Sequence, residues 1–294
     1  MKKVAVLFGG DSSEKEVSIY TGLAVVEAIK DEYKVEAISI EGDYLSLHNK
    51  LLDVDIVFIA LHGGFGEDGR LQKYLDKHNI KYTGSGSVAS QTAMDKNKTK
   101  LIAKAHKIPV LNWTIIKNLS EIDKIGLKFP LIIKPNDGGS TIGLYFCKDI
   151  NDFKINIKKS LKDTSVQMVE EYVKAREISV PILDGQVLPI IEIFPKGFLY
   201  DYDSKYKSDG SNYQIPAKIK DSLSRKLAND ALTIYQNINC RHYARIDFLV
   251  AGDKHYFLEI NTLPGLTSTS LLPKSAFKIG LSYRDLVVKI IELS

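Results

Sequence analysis

The chain has 294 residues, 44% hydrophobic and 26% charged, with a formal net charge of +4 spread over lysines along its whole length. This is the composition of a soluble globular protein long enough for two or three domains, and without a basic tail or block it is not expected to bind nucleic acid or a membrane surface. Cys147 and Cys240 stand far apart, outside any metal or redox spacing, which fits a reducing cytoplasm. The five apolar residues Val4 to Phe8 are too few for a secretory segment, and no apolar run reaches membrane-span length.

Residues 3 to 8 form a short buried-strand pattern ending at Gly9-Gly10. A helical pattern with apolar Val17, Tyr20, Leu23, Ala24 and Ala28 follows. Strand patterns at 34–40 and 55–61 with helices between them predict a small parallel α/β domain over 1–86. A polar, lysine-rich helix from Ser87 to Lys107 leads into strands near 111–116, 131–134 and 166–171, with an amphipathic helix at 152–161. These make a second α+β unit, 87–175. Strands at 178–183, 187–194, 243–250 and 255–260, with helices at 222–238 and 283–293, make a third and mainly antiparallel unit, 176–294. Its segment 201–214, rich in Tyr, Asp, Ser and Gly, reads as a lid loop.

The segments Ala244 to Val250 and His255 to Asn261, joined through Gly252-Asp253-Lys254, read as a β-hairpin. Alternation puts Arg245 and Asp247 on one face of the first strand, and Glu259 and Asn261 on one face of the second. A hairpin centred on Asp253 sets Asp247 opposite Glu259 and Arg245 opposite Asn261. Two carboxylates with Cβ atoms roughly 5 Å apart repel unless a positive charge lies between them. A divalent cation such as Mg²⁺, with its other ligands from water and phosphate, is one occupant. A solvated face on which Arg245 pairs with the acids is the other reading.

Lys134 ends the apolar strand Phe129 to Ile133, and Asn136 to Gly143 form a glycine-rich loop with hydroxyls at Ser140 and Thr141, suited to phosphate. Neither a P-loop nor a dinucleotide fingerprint is present. Lys134 reads equally as a strand-end lysine reaching water. Lys96, with Lys98 and Lys100 nearby, reads equally as part of a solvated helix face.

Several segments together resemble the D-alanine:D-alanine ligase family. They are Gly9-Gly10-Asp11-Ser12-Ser13-Glu14-Lys15-Glu16-Val17-Ser18, Ala60-Leu61-His62-Gly63, Gly66-Glu67-Asp68-Gly69, Tyr82 to Gly86, Met94-Asp95-Lys96, Ile133-Lys134-Pro135, Tyr200 to Tyr206, Ala244-Arg245-Ile246-Asp247 and Glu259 to Thr267. They occur in the family's order over nearly the whole chain.

The resemblance implies an α/β ATP-grasp fold, with ATP held between the second and third domains and the first domain helping to bind amino acids. By position, it implies Lys96 and Lys134 on ATP phosphates, Glu170, Glu171 and Val173 along the adenine edge, and Glu177 at the ribose. Asp247, Glu259 and Asn261 would hold two Mg²⁺, with Mn²⁺ as an alternative. Glu14 would take the ammonium of the first D-alanine with His62 nearby, although Ser13 and Glu16 also fit a capping box that would make the acidic turn structural. Ser270 and Lys205 would take the carboxylate of the second D-alanine. Tyr206, bonded with Ser140 and Glu14, accompanies dipeptide formation rather than use of D-lactate; D-serine stays open, as does another carboxylate-amine ligation.

A carboxylate must be activated before an amine attacks it. The implied route therefore runs through a D-alanyl phosphate, with Lys134 and Lys205 aligning the transfer and Arg245 and the Gly265 N–H stabilising the later oxyanion. A homodimer is usual in the family. The loop 136–141 departs from the commoner acidic-Gly-Ser-Ser pattern, and Leu266 and Thr269 also differ.

Overall fold

The computed structural model describes residues 1–41, 47–139, 142–195 and 211–294. Ser140, Thr141, Lys205, Tyr206 and most of the expected lid segment lie outside the described residues. Its last part, Ser211–Gln214, is a strand and not a loop, paired antiparallel with Ile191–Pro195.

The chain begins β1 (Lys3–Gly9), α1 (Lys15–Ile29), β2 (Lys34–Ile40), α2 (Leu47–Lys50), β3 (Ile56–Ile59) and α3 (Arg70–Lys77). The strands form a parallel sheet in the order β2-β1-β3. Val4 to Leu7 and Ile56 to Ile59 are buried throughout, as a sheet covered on both faces requires.

The face that α1 buries overlaps only in part with the one its apolar spacing suggests: Val17 is buried and Ala28 packs against the core. Tyr20 and Leu23 are exposed, while Ser18, Thr21, Gly22 and Val25 face the sheet. Close approach is the reason. A Cβ at Gly22 would sit 2.4 Å from Phe8, and the Ser18 hydroxyl accepts from the Gly9 N–H (2.9 Å) while donating to the Ala60 carbonyl (2.6 Å). Small and hydroxyl side chains bring the helix onto β1 and satisfy backbone groups where the strand ends.

Next come α4 (Ser87–Met94), α5 (Lys96–Ala105), β4 (Trp113–Ile116), β5 (Leu131–Pro135), β6 (Tyr145–Cys147), α6 (Ile150–Asp163) and β7 (Gln167–Glu171). The single helix expected from Ser87 to Lys107 is broken at Asp95, which leaves helical geometry and caps α5 by accepting from the Lys98 N–H. The strands form an antiparallel sheet in the order β4-β7-β5-β6, packed on α6 through Phe153 and Ile157.

The remainder is β8 (Arg176–Leu183), β9 (Gln186–Val187), β10 (Ile191–Pro195), β11 (Ser211–Gln214), α7 (Asp221–Asn237), β12 (Tyr243–Ala251), β13 (Lys254–Asn261), α8 (Leu271–Phe277) and α9 (Tyr283–Glu292). Its antiparallel sheet runs β11-β10-β8-β12-β13, with β9 added on β8. One face of it packs on α7, and Ala89, Ala93 and Ala103 of α4 and α5 join the same core. At the far end α9 packs through Leu286, Val287, Ile290 and Ile291 into the core of the first sheet. Three sheets therefore meet around a cleft, with α5 as one shared wall.

Candidate active site

The hairpin β12–β13 has Asp247 across from Glu259 and Arg245 across from Asn261, as the alternation requires. The route to that register differs from a hairpin centred on Asp253. The turn is the two-residue Gly252-Asp253, with Ala251 facing Lys254, and an irregularity between Asp247 and Phe248 leaves Leu258 as an extra residue. Without that bulge, Asp247 would face Leu258. A one-residue slip moves side chains to the wrong face, so the bulge aligns the carboxylates.

Arg245 binds Asp247 through Nε and Nη2 at 2.9 to 3.2 Å, and Ser179 on the neighbouring β8 donates to Asp247 Oδ1 at 2.6 Å. Glu259 lies 3.5 Å from Lys96 Nζ. The Asn261 side-chain oxygen accepts from the Leu263 N–H at 2.9 Å and keeps a second lone pair. Arg245 pairs with one acid, Asp247, on a face that is largely enclosed and not solvated, and the two acids face one another across the strands. Two carboxylates and an amide oxygen form a hard donor set that fits Mg²⁺. Among the described residues no group of three or more His, Cys, Asp or Glu forms a metal cage. A cation here would draw further ligands from phosphate and water.

Lys96 and Lys134 are buried, not solvated. Lys96, the first residue of α5, donates to the Gly138 carbonyl. Lys134, near the end of β5, donates to Glu170 Oε2 at 2.8 Å. The glycine loop is tied to the start of α5 by Asn136, whose side chain accepts from the Asn97 N–H (3.0 Å) and donates to Asp95 (2.9 Å). A Cβ at Gly138 would come within 2.8 Å of Pro135, so the loop folds tightly beneath the lysines. Two ammoniums and glycine backbone on one side, with the acidic hairpin opposite, make a cleft suited to a polyphosphate and its counter-ion.

Glu14 precedes α1 without capping it through its side chain, so the Ser13–Glu16 box does not form. Ser12 makes the turn instead: its hydroxyl accepts from the Glu14 N–H at 3.1 Å and donates to the His62 carbonyl at 2.7 Å. The Glu14 carboxylate is consequently turned inward, 8% exposed, and a Cβ at Gly63 or Gly139 would lie 2.9 or 3.5 Å from its Oε2. His62 is also buried. Its Nδ1 is 3.2 Å from the Leu263 carbonyl, which only accepts, so Nδ1 carries a proton there, and Nε2 is hydrogen-bonded with the Thr21 hydroxyl at 2.9 Å.

Glu67 sits 3.6 Å from His62. Burial, with the nearby Glu14 carboxylate adding to it and His62 opposing, pushes its carboxyl above the usual range.

Two adjoining cavities divide these residues. One, about 950 Å³ including its open mouth, is lined by Glu14, His62, Glu67, Arg245, Asn261, Gly265 and Ser270. The other, about 730 Å³, is lined by Lys134, Glu177, Asp247 and the apolar Ile142, Leu144, Ile178, Ile193, Phe248 and Leu258. Lys96, Gly138, Gly139 and Glu259 line both. Ser270 stands at the head of α8 with its hydroxyl bonded to Thr267, and a Cβ at Gly265 would be 3.0 Å from it.

Glu170 lies beneath Lys134, while Glu171 turns the other way, to Asn112 (2.9 Å) and the Lys128 N–H (3.1 Å). None of Glu170, Glu171 and Val173 lines the two cavities. Sequence reasoning gave no role to Glu67, although its motif was in view, or to the apolar pocket walls, whose alternation looks like ordinary strand core.

The family model described as D-ala D-ala ligase C-terminus matches residues 102–292, and that for the N-terminus matches 42–85. A D-alanine–D-alanine ligase of Syntrophotalea carbinolica is 40% identical over 99% of this chain and 95% of its own. D-alanine–D-alanine ligase B of Clostridium perfringens is 38% identical over 99% and 98%. The crystal structure of the Bacillus anthracis D-alanine–D-alanine ligase complexed with ATP superposes with a TM-score of 0.88 at 33% identity, covering 100% of this chain and 97% of that one. A D-Ala:D-Ser ligase from Enterococcus faecalis superposes at 0.85 with 27% identity, covering 99% of each chain. With these matches running from end to end through the sheets and the cleft just described, the fold is ATP-grasp and the chain belongs to the D-alanine–D-alanine ligase family.

Proposed function

We propose that the chain catalyses ATP-dependent ligation of two D-alanine molecules to D-alanyl-D-alanine through a D-alanyl phosphate, for cell-wall precursors. The observation carrying this reading is the pair of cavities meeting at Lys96, Gly138-Gly139 and Glu259. One has apolar walls for a base and cations for phosphates, the other polar groups for small zwitterions, and the junction is where a γ-phosphoryl group meets a carboxylate. In the three-part division 1–86, 87–175 and 176–294, the first unit supplies Glu14 and His62, the second the lysines and glycine loop, and the third the acidic hairpin.

Glu14 holds the ammonium of the first D-alanine, so its carboxylate points toward the junction. Lys96 and Lys134 offset charge on the phosphates and hold the transferred group in line. Asp247, Glu259 and Asn261 would hold Mg²⁺, which would supply charge neutralisation for the phosphates. Ser270 receives the carboxylate of the second D-alanine. Its amine attacks the acyl carbon of the acyl phosphate, Arg245 with the Gly265 N–H stabilises the oxyanion that forms, and the C–O bond to phosphate breaks as inorganic phosphate leaves and the amine gives up its proton. The acyl phosphate hydrolyses readily in water, so the reaction requires that water be kept from the junction.

The test is phosphate release from ATP and Mg²⁺ with D-alanine, L-alanine, or D-alanine plus D-lactate or D-serine, with products identified by mass spectrometry. Release that requires D-alanine, yields the dipeptide and collapses in Glu259→Gln is expected. A folded protein releasing no phosphate with D-alanine would remove the substrate assignment.

A further inference from the structure

Lys100 is the most deeply enclosed cation among the described residues, at 0% exposure, and no step above uses it. It lies one helical turn after Lys96 on the same face of α5. Its ammonium contacts Glu170 Oε1, while the other oxygen of that carboxylate receives Lys134 at 2.8 Å. It also donates to the Phe257 carbonyl at 3.2 Å, beside the Leu258 bulge that aligns Asp247 with Glu259. The Trp113 ring centroid stands 5.8 Å away.

Burial, with the neighbouring Lys134 charge adding to it, lowers the Lys100 pKa on balance, and the Glu170 carboxylate offsets only part of that cost; the two lysines in turn hold the Glu170 carboxyl below its usual range despite its own burial. The balance of charge is what matters. Glu170 with Lys134 alone would be a neutral pair, and Lys134 would present little positive charge to a phosphate. With Lys100 protonated, two ammoniums on the one carboxylate leave a net charge of one positive unit beside the cleft.

We infer that Lys100 is a positioning residue for phosphoryl transfer: it occupies half of the Glu170 carboxylate so that Lys134 is held in place yet stays electropositive, and it braces the strand that sets the metal hairpin. The inference deepens the proposed function and rests on Lys134 facing a phosphate.

The test is a set of variants assayed by calorimetric binding of ATP with Mg²⁺ and by separate KM values for ATP and D-alanine. Lys100→Met is expected to weaken ATP binding and raise KM for ATP by about tenfold or more, a modest effect for one charge a few ångströms away at an effective dielectric of about 20. KM for D-alanine should change little. Lys100→Met/Glu170→Gln removes both charges and leaves Lys134 positive, so ATP binding should recover most of the loss. A purely structural role predicts no recovery, and a folded double variant without recovery overturns the inference. If Lys100→Met does not fold, the double variant is read against Glu170→Gln alone: an ATP affinity matching that single variant is expected, and a further loss overturns the inference. Lys134→Met is the reference: if it leaves ATP binding unchanged, the phosphate reading of Lys134 fails; if it weakens binding while Lys100→Met does not, only the present inference fails.

Discussion

Replacing Glu14 by Gln keeps the shape of a buried side chain and removes its charge. The residue is 8% exposed, with Gly63 and Gly139 beside its carboxylate, so the substitution disturbs little packing. A charge-assisted hydrogen bond contributes about 1.5 to 3 kcal/mol, which at 1.4 kcal/mol per decade is about 10- to 150-fold in affinity for the amino acid whose ammonium it holds.

Glu67 lies close enough that the Glu14 charge helps raise its carboxyl pKa. Removing that charge lets Glu67 ionise more readily and compensate in part, so the lower end of the range is expected from Glu14→Gln and the upper end from Glu14→Gln/Glu67→Gln. The assay is initial-rate phosphate release against D-alanine concentration at saturating ATP, with calorimetric ATP affinity alongside. Glu14 lines the amino-acid cavity and not the neighbouring one, so ATP affinity should hold. A KM for D-alanine within about threefold of the parent, or a parallel loss of ATP affinity, would refute the division of the cleft.

Gly22→Ala puts a Cβ 2.4 Å from Phe8 and should destabilise the first domain by about 1 to 3 kcal/mol in urea unfolding, whereas Leu23→Ala, on the exposed side of the same helix, should stay within about 0.5 kcal/mol. His242 is half-buried, and its Nδ1 accepts from the Gly84 N–H at 3.0 Å. Burial first, then the Arg241 charge, lowers its pKa from 6.5 to about 4. Between those values the unfolded chain binds a proton that the folded chain does not, so this contribution is complete above pH 6.5 and is lost as pH falls to about 4. At 1.36 kcal/mol per unit the loss is at most about 3 kcal/mol, and less because solvent reaches the ring. Unfolding midpoints of the parent and His242→Asn across this window check it: the acid-side slope should flatten in the variant, and an unchanged slope would assign it elsewhere.

Much of the site was written in local patterns. Period-two alternation around a short turn put Asp247 and Glu259 on one face of the hairpin, and clustered glycines after Lys134 marked a tight loop, whose Gly138 and Gly139 line the cleft, because both depend on neighbouring residues alone. The order of strands and helices along the chain, and with it the α/β character, was legible for the same reason.

Tertiary structure decided what depends on partners distant in sequence. Leu258 had to bulge for the two-residue turn to deliver the carboxylate register, and Phe257 at that point binds Pro109 and Lys100, more than a hundred residues earlier. Lys100 looks like a solvated lysine until Glu170 and Phe257 close around it. Ser18, Thr21 and Gly22 look like the polar side of a helix until β1 approaches too closely for anything larger. Local periodicity reports hydrophobic burial, whereas polar burial depends on whether a partner arrives from elsewhere in the fold.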